Sequence, residues 1–182
     1  MRRYSIPAIL LHWLIAFGII GTFTLGLVMT DIQGISMAKL KYTNWHKWAG
    51  VTVLALAALR LLWRLFNKPP AYPAGMPRWQ HGVAHGLHGV LYVLMFAVPI
   101  SGYFFSLAAG YQVVYFARFP LPVLIGPDPV LRDTLREVHY WLNMLLATLV
   151  AVHVLAALKH LFIDRDGIMQ RMLPIPTPKE KQ

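Results

Sequence analysis

The stretch Val138–Ile163, VHYWLNMLLATLVAVHVLAALKHLFI, decides the fold. It is long and apolar enough to cross a lipid bilayer as one α-helix, which needs about 20 mostly apolar residues. It nevertheless carries three histidines, His139, His153 and His160. A polar ring is costly in lipid, so a membrane histidine usually faces the interior of a helical bundle and has a polar partner there. This stretch therefore predicts a bundle of membrane helices with chemistry in its interior.

Three further stretches have the same apolar character. We expect spans at about residues 8–29, 45–66, 83–108 and 138–163, within a single domain over residues 1–182. The first span follows two arginines, as a signal peptide would, but its length favours a retained anchor. Residues 174–182 are expected to be a disordered tail, and only His81 among the histidines is placed in a loop. The predicted fold class is all-α, an integral membrane four-helix bundle.

The composition is that of a membrane protein. Of the 182 residues, 57% are hydrophobic and only 13% are charged, whereas about a quarter of a soluble domain is charged. The net charge of +10 would suggest nucleic acid in a polar protein, but here the basic residues flank apolar runs, so no nucleic-acid partner is expected. The chain has no cysteine, which excludes disulfides, iron–sulfur clusters and covalently attached haem.

The lysines and arginines predict the orientation. With the N-terminus inside, eleven of the 17 basic residues lie on the inner side, and basic residues are in excess on the cytoplasmic side of membrane proteins. Both termini are therefore expected in the cytoplasm. The proline-containing segment 109–136 is expected to lie on the outer membrane surface as a cap. The six outer basic residues are Lys39, Lys41, Lys47, Arg118, Arg132 and Arg136.

The spacing of the histidines in the fourth span predicts that histidines lie at two depths in the membrane, an outer and an inner level. His139 and His153 are 14 residues apart, which is nearly four turns, so both rings point the same way about 21 Å apart along the helix axis. At the outer level His46 is the one other histidine in a span, which selects the pair His46–His139.

At the inner level several histidines compete for His153. They are His12, His85, His88 and His160. His12 is the best match, because it lies about one turn inside the first span, as His153 lies well inside the fourth. The others lie nearer the cytoplasmic ends of their spans.

Two histidine pairs at separate depths are typical of two non-covalent b-type haems. A structural zinc site would need four ligands at one depth. Gly26, Gly50 and Gly102 could leave room for a macrocycle, although glycine is also common in membrane helices. Arg60, 14 residues after His46, could bind haem propionates, whereas snorkelling to the interface is favoured for Arg64.

Several motifs resemble those of the prokaryotic cytochrome b561 family, small di-haem membrane cytochromes. The resemblance covers nearly the whole chain and includes the fourth-span histidine series. The other motifs are LHW at Leu11–Trp13, NWHKWAG at Asn44–Gly50, RLLWRL at Arg60–Leu65 and AHGLHG at Ala84–Gly89.

The resemblance implies a site and an activity. His12 with His153, and His46 with His139, would be the axial ligands of two haem irons. The implied enzyme is a superoxide:ubiquinone oxidoreductase of the bacterial inner membrane, which oxidises superoxide on the periplasmic side and reduces ubiquinone on the cytoplasmic side. His88 and His160 match family histidines near the quinone end.

Simple electrostatics is compatible with this activity. Lys39, Lys41 and Lys47 lie on the outer side, where basic residues can steer a small anion such as superoxide. Quinone reduction consumes protons, which His88 or His160 could deliver at neutral pH. The spans contain no aspartate or glutamate, which argues against a proton pump or ion transporter.

Two other classes of function share the same features. One is an electron-transfer subunit that links quinone to a partner dehydrogenase or hydrogenase docked outside. The other is a non-redox membrane carrier of haem or metal. The short outer loops, without a docking domain, favour the self-contained oxidoreductase.

Overall fold

Four long helices form the protein. The computed structural model describes residues 3–71, 73 and 75–174, so the predicted tail lies outside it beyond residue 174. The helices are α1 (Ile6–Asp31), α2 (Met37–Phe66), α3 (Arg78–Ala108) and α4 (Pro129–Lys159). Each is long and apolar enough to cross a membrane. The predicted four-helix membrane bundle is confirmed.

All four helices begin before the apolar spans that predicted them, and the differences are largest for α2, which begins at Met37, and α4, which begins at Pro129. Capping side chains explain two of these starts. The hydroxyl of Ser36 accepts from the backbone N–H of Lys39, and the Asp128 carboxylate accepts from two backbone N–H groups of the first turn of α4. The placement of His81 in a loop is wrong, because α3 begins at Arg78 and includes it.

The outer segment between α3 and α4 contains a small β-hairpin that the sequence did not predict. Its strands are β1 (Val114–Tyr115) and β2 (Phe119–Pro120), which pair antiparallel. The indole N–H of Trp48 donates to the carbonyl of Val114 over 2.7 Å, and the hydroxyls of Thr52 and Tyr115 are 2.9 Å apart. These bonds hold the hairpin against α2.

The helices pack as two pairs, α1 with α2 and α3 with α4, and α2 also contacts α3 less extensively. Two buried clusters hold them together: Ile15, Ala57 and Met95 in one, and Leu94, Val98 and Leu146 in the other. Leu146 is seven residues from both His139 and His153. The apolar core therefore lies midway between the two histidine levels.

Lipid covers much of the remaining apolar surface. Large side chains on the outside of the bundle are well exposed, for example Phe17 and Leu155 at 66% each. Within the described residues, no large side chain is fully buried. The outside of the bundle is therefore apolar enough for contact with a lipid bilayer.

Replacing Gly18 by alanine should weaken the packing of α1 on α2. A β-carbon there would lie 2.8 Å from Cγ2 of Val53, and overpacking of this kind costs about 1–3 kcal/mol. Gly21→Ala is the matched control on the same helix, because its β-carbon would meet nothing within 4 Å. Thermal unfolding in detergent should show a lower transition temperature for G18A only. An equal loss in both variants would contradict the close approach at Gly18.

Candidate functional site

The outer histidine pair, His46 of α2 and His139 of α4, lies near the outer end of the bundle. The ring centres are 6.2 Å apart and the ring planes meet at 86°. Nδ1 of His46 lies 2.9 Å from the carbonyl oxygen of Thr22, and Nδ1 of His139 lies 3.0 Å from that of Val98. Because a carbonyl only accepts, each Nδ1 carries the proton, and each Nε2 keeps its lone pair for a metal.

Close neighbours fix both outer rings. The Ser101 hydroxyl lies 3.0 Å from Nδ1 of His139. A β-carbon at Gly102 would lie 2.8 Å from Cε1 of His139, and one at Gly26 would lie 3.3 Å from Cε1 of His46. These two glycines, which we expected to leave room for a macrocycle, thus leave room for the imidazole rings themselves.

The inner cluster contains three histidines from three helices. The ring centres of His12 (α1) and His153 (α4) are 6.2 Å apart, with the planes at 79°. The ring centre of His88 (α3) is 5.2 Å from that of His153. The other two competitors lie elsewhere: His85 is exposed, and His160 follows α4 in a π-helical turn.

Both pairs have the separation that a bis-histidine iron requires. A metal-bound imidazole nitrogen lies about 2 Å from the metal, and the ring centre lies about 1 Å farther away, so two opposed ligands have centres about 6 Å apart. The pairs His12–His153 and His46–His139 match this value. The His88–His153 separation is shorter than this, so His88 fits better as a neighbour of the inner pair than as a ligand opposite His153.

A small cleft lies beside His46 of the outer pair. It opens between α2 and α3, next to His46, and a β-carbon at Gly50 would meet nothing within 4 Å. The residues that line it are His46, Lys47, Gly50, Val51, Pro99, Gly102, Tyr103 and Val113. The donor set, two imidazole rings with Nε2 available, fits the axial ligation of a b-type haem.

The two arginines of α2 differ in their surroundings. Arg60 donates from Nη1 to the carbonyl of Ala8 over 2.6 Å, and its charge acts on all three histidines of the inner cluster. The guanidinium of Arg64 lies 5.5 Å from the ring centre of Tyr92. Arg60 is therefore the cation beside the inner cluster, and its role in binding haem propionates stays a prediction.

The three outer lysines proposed for steering also differ. Lys39 donates to the carbonyl of Ile32 over 2.9 Å, and the ammonium of Lys41 lies 4.6 Å from the ring centre of Trp45. Lys47 donates to the hydroxyl of Ser106 over 2.8 Å and lines the cleft beside His46. Nothing in the sequence distinguishes the three lysines. In the structure, only Lys47 of the three lies beside the outer pair.

Several supporting groups were missed by the sequence analysis. The carbonyls of Thr22 and Val98 leave no signal in a sequence, because every residue has one. Ser101 lies one residue before Gly102, but nothing in its spacing indicates a bond to a histidine 38 residues away. The partner of His160 was also missed: Nδ1 of His160 lies 2.7 Å from Oδ2 of Asp166.

The fold and the site together define a class of protein, multi-pass membrane proteins that hold haem between histidines of a helical bundle. A family model described as prokaryotic cytochrome b561 matches residues 3–174. The chain belongs to the prokaryotic cytochrome b561 family. It is therefore an electron-transport protein of the bacterial inner membrane that binds b-type haem, and these three predictions are confirmed.

Curated relatives match along almost their whole length. Cytochrome b561 homolog 2 of Escherichia coli (strain K12) is 34% identical over 173 residues, which are 94% of this chain and 92% of the relative. The probable superoxide oxidase CybB of Yersinia pestis is 29% identical, over 95% of this chain and 97% of the relative. Cytochrome b561 homolog 1 of Escherichia coli (strain K12) is 27% identical, over 96% of this chain and 98% of the relative.

Replacing Gly102 by alanine should reduce haem binding. The new β-carbon would press on His139, and the bonds of that ring to Val98 and Ser101 leave it little freedom to move. Gly82→Ala on the same helix is the control, because a β-carbon there meets nothing within 4 Å. Haem per polypeptide, measured as the pyridine haemochrome, should fall in G102A and stay at the parent level in G82A. Full haem content in G102A would contradict the described position of the His139 ring.

Proposed function

We propose that this chain is a superoxide:ubiquinone oxidoreductase, a single domain over residues 1–182 with both termini in the cytoplasm and two b-type haems. It oxidises superoxide on the periplasmic side and reduces ubiquinone on the cytoplasmic side. The observation that carries the proposal is the presence of two opposed histidine pairs, each 6.2 Å between ring centres, at two depths of one bundle. When bound, the haems supply reversible one-electron chemistry at both depths.

Four histidines would hold the two irons, His46 with His139 outside and His12 with His153 inside. The distances support these pairs, and the carbonyl partners of the outer pair leave Nε2 available on both rings. Arg60 is our candidate for the haem propionates of the inner site, because a guanidinium binds carboxylates in a bidentate manner. Its contact with Ala8 places it beside the first turn of α1, close to His12.

The reaction balances with two superoxide ions for each quinone. Each superoxide loses one electron and becomes dioxygen, and ubiquinone gains two electrons and two protons to become ubiquinol. The outer side therefore needs only an entrance for a small anion, whereas the inner side also needs a source of protons. His88 and His160 are our quinone-side candidates.

Lys47 is the outer cation that supports superoxide as the donor. Its ammonium lies in the cleft beside His46, is partly shielded from solvent, and is held by Ser106, whose own hydroxyl donates to the carbonyl of Tyr111 over 2.8 Å. A fixed positive charge at this position would attract a small anion to the outer pair. Lys39 and Lys41 would act at longer range.

Replacing a ligand should remove one haem and leave the other. We expect His46→Ala and His139→Ala to lower haem from two to one per chain, and His12→Ala and His153→Ala to remove the other haem. The loss in the inner variants should be less complete, because His88 lies close enough to substitute. His85→Ala, at an exposed position, is the control. Pyridine haemochrome analysis and redox titration measure the number and identity of the remaining haems.

Retention of both haems in H46A or H139A would show that the outer pairing is wrong. One haem per chain in the parent protein would contradict the proposal of two sites. The function itself is tested by mixing the purified parent with a superoxide source and following its Soret and α bands. Reduction by ubiquinol but not by superoxide would instead favour the electron-transfer subunit, with a docked partner as the second reactant.

The three outer lysines should respond differently to salt. Lys39→Gln and Lys41→Gln should slow haem reduction by superoxide mainly at low ionic strength, because exposed charges are screened beyond about 10 Å at 0.1 M salt. Lys47→Gln should slow it at both low and high salt, because this charge lies beside the reacting site. Pulse radiolysis at two salt concentrations measures these rates. If K47Q and K39Q showed the same dependence on salt, the claim that Lys47 acts at closer range than Lys39 would be wrong.

A further inference from the structure

The chain reverses direction after α4 and folds back toward the end of that helix. His160 begins a π-helical turn, His160–Asp164, and two residues with left-handed backbones follow, Arg165 at φ 51° and Gly167 at φ 78°. Glycine adopts this conformation without the steric cost that a side chain brings. The reversal brings the Asp166 carboxylate back to the His160 ring, with 2.7 Å between Oδ2 and Nδ1.

Both members of this pair are held in place. The other carboxylate oxygen of Asp166 accepts from the backbone N–H of Ile168 over 3.0 Å. Asp164 lies 3.2 Å from the same nitrogen of His160, and Lys159 bonds to Asp164 over 2.5 Å. The side chain of His160 is 16% exposed and that of Asp166 is 22% exposed, so the pair is sheltered but reachable by water.

The pair lies at the inner end of the bundle, below the inner histidine cluster. His160 follows His153 by seven residues, which is two helical turns or about 10 Å on the same face. The segment that follows Asp166 crosses the start of α1, where the indole N–H of Trp13, the neighbour of His12, donates to the carbonyl of Met172 over 2.8 Å. The His160–Asp166 pair is therefore close to the level at which quinone would be reduced.

We propose that His160 and Asp166 form the proton-donating dyad for quinone reduction, a role that rests on the proposed function. The bond at Nδ1 leaves Nε2 as the donating nitrogen, and within the described residues Nε2 has no protein partner. Asp166 is a positioning residue: its bond to Nδ1 orients the ring, as carboxylates do for catalytic histidines. Asp164 adds negative charge, which Lys159 partly offsets.

The proton balance of the step is complete. Quinone receives two electrons, one from each superoxide, and forms two O–H bonds. For each proton delivered, the N–H bond at Nε2 of His160 breaks and an O–H bond forms on a quinone oxygen. The neutral ring keeps its Nδ1–H bond to Asp166, and Nε2 takes a new proton from cytoplasmic water before the next delivery.

An acceptor that takes up no proton separates proton delivery from electron transfer. The full-length protein is reduced anaerobically in detergent and mixed in a stopped-flow instrument with either ubiquinone-1 or ferricyanide, and haem reoxidation is followed. General acid catalysis contributes about 100-fold or more, so His160→Gln should slow reoxidation by ubiquinone-1 about 100-fold. Asp166→Asn should slow it less, about 10-fold, because the donor remains. Reoxidation by ferricyanide and haem content should be unchanged in both variants.

His85→Gln is the matched control, because it changes an exposed histidine near the cytoplasmic end of α3, and both rates should equal those of the parent. Parental rates with ubiquinone-1 in both H160Q and D166N would overturn the dyad. Slowing with ferricyanide and ubiquinone-1 alike would also overturn it, because that pattern marks a structural role. If H160Q does not fold, D166N alone decides between these outcomes. A parent protein that ubiquinone-1 does not reoxidise would instead disprove the proposed function.

Discussion

The separation of His139 and His153 on α4 is the constraint on which the rest of the bundle depends. Fourteen residues of helix set two levels about 21 Å apart, and each level receives its partner from the other helix pair, His46 from α2 or His12 from α1. At each level the ring centres are 6.2 Å apart, and within the described residues α4 makes few direct contacts with α1 or α2, which carry the partner rings. The close packing lies instead within each helix pair and at the midplane, where Leu146 lies halfway between the two levels.

The two ends of the bundle carry different polar groups. At the outer end, the hairpin β1–β2 packs against α2. Lys47 supplies one partly buried positive charge beside the histidine pair. Under the proposed function, one such charge is sufficient to attract a small anion that gives up one electron. At the inner end the chain supplies Arg60, a third histidine and the His160–Asp166 pair, and a reactant that takes up protons as well as electrons needs such groups. This difference supports the proposal of one-electron oxidation outside and proton-coupled reduction inside.

The features that could be predicted from the sequence are those that extend or repeat over many residues. The length of the apolar runs predicted four helices, and the helical repeat predicted the levels of His139 and His153, with His46 and His12 as partners that the structure places opposite them. Short-range features escaped prediction. The strands of the hairpin have two residues each and depend on bonds from a distant helix. Asp166 contacts His160 only because the backbone reverses at Arg165 and Gly167. Both residues lie beyond α4, so the helical periodicity of the sequence could not predict the contact.

Electron paramagnetic resonance of the oxidised protein tests the central claim most directly, because the signal of ferric haem reports both its axial ligands and their orientation. The imidazole planes meet at 86° in the outer pair and 79° in the inner pair. Nearly perpendicular ligand planes give low-spin ferric haem a strongly anisotropic signal at low field. We expect two such signals, which together integrate to two haems per chain. A high-spin ferric signal as the main species, or a total of one haem, would contradict it.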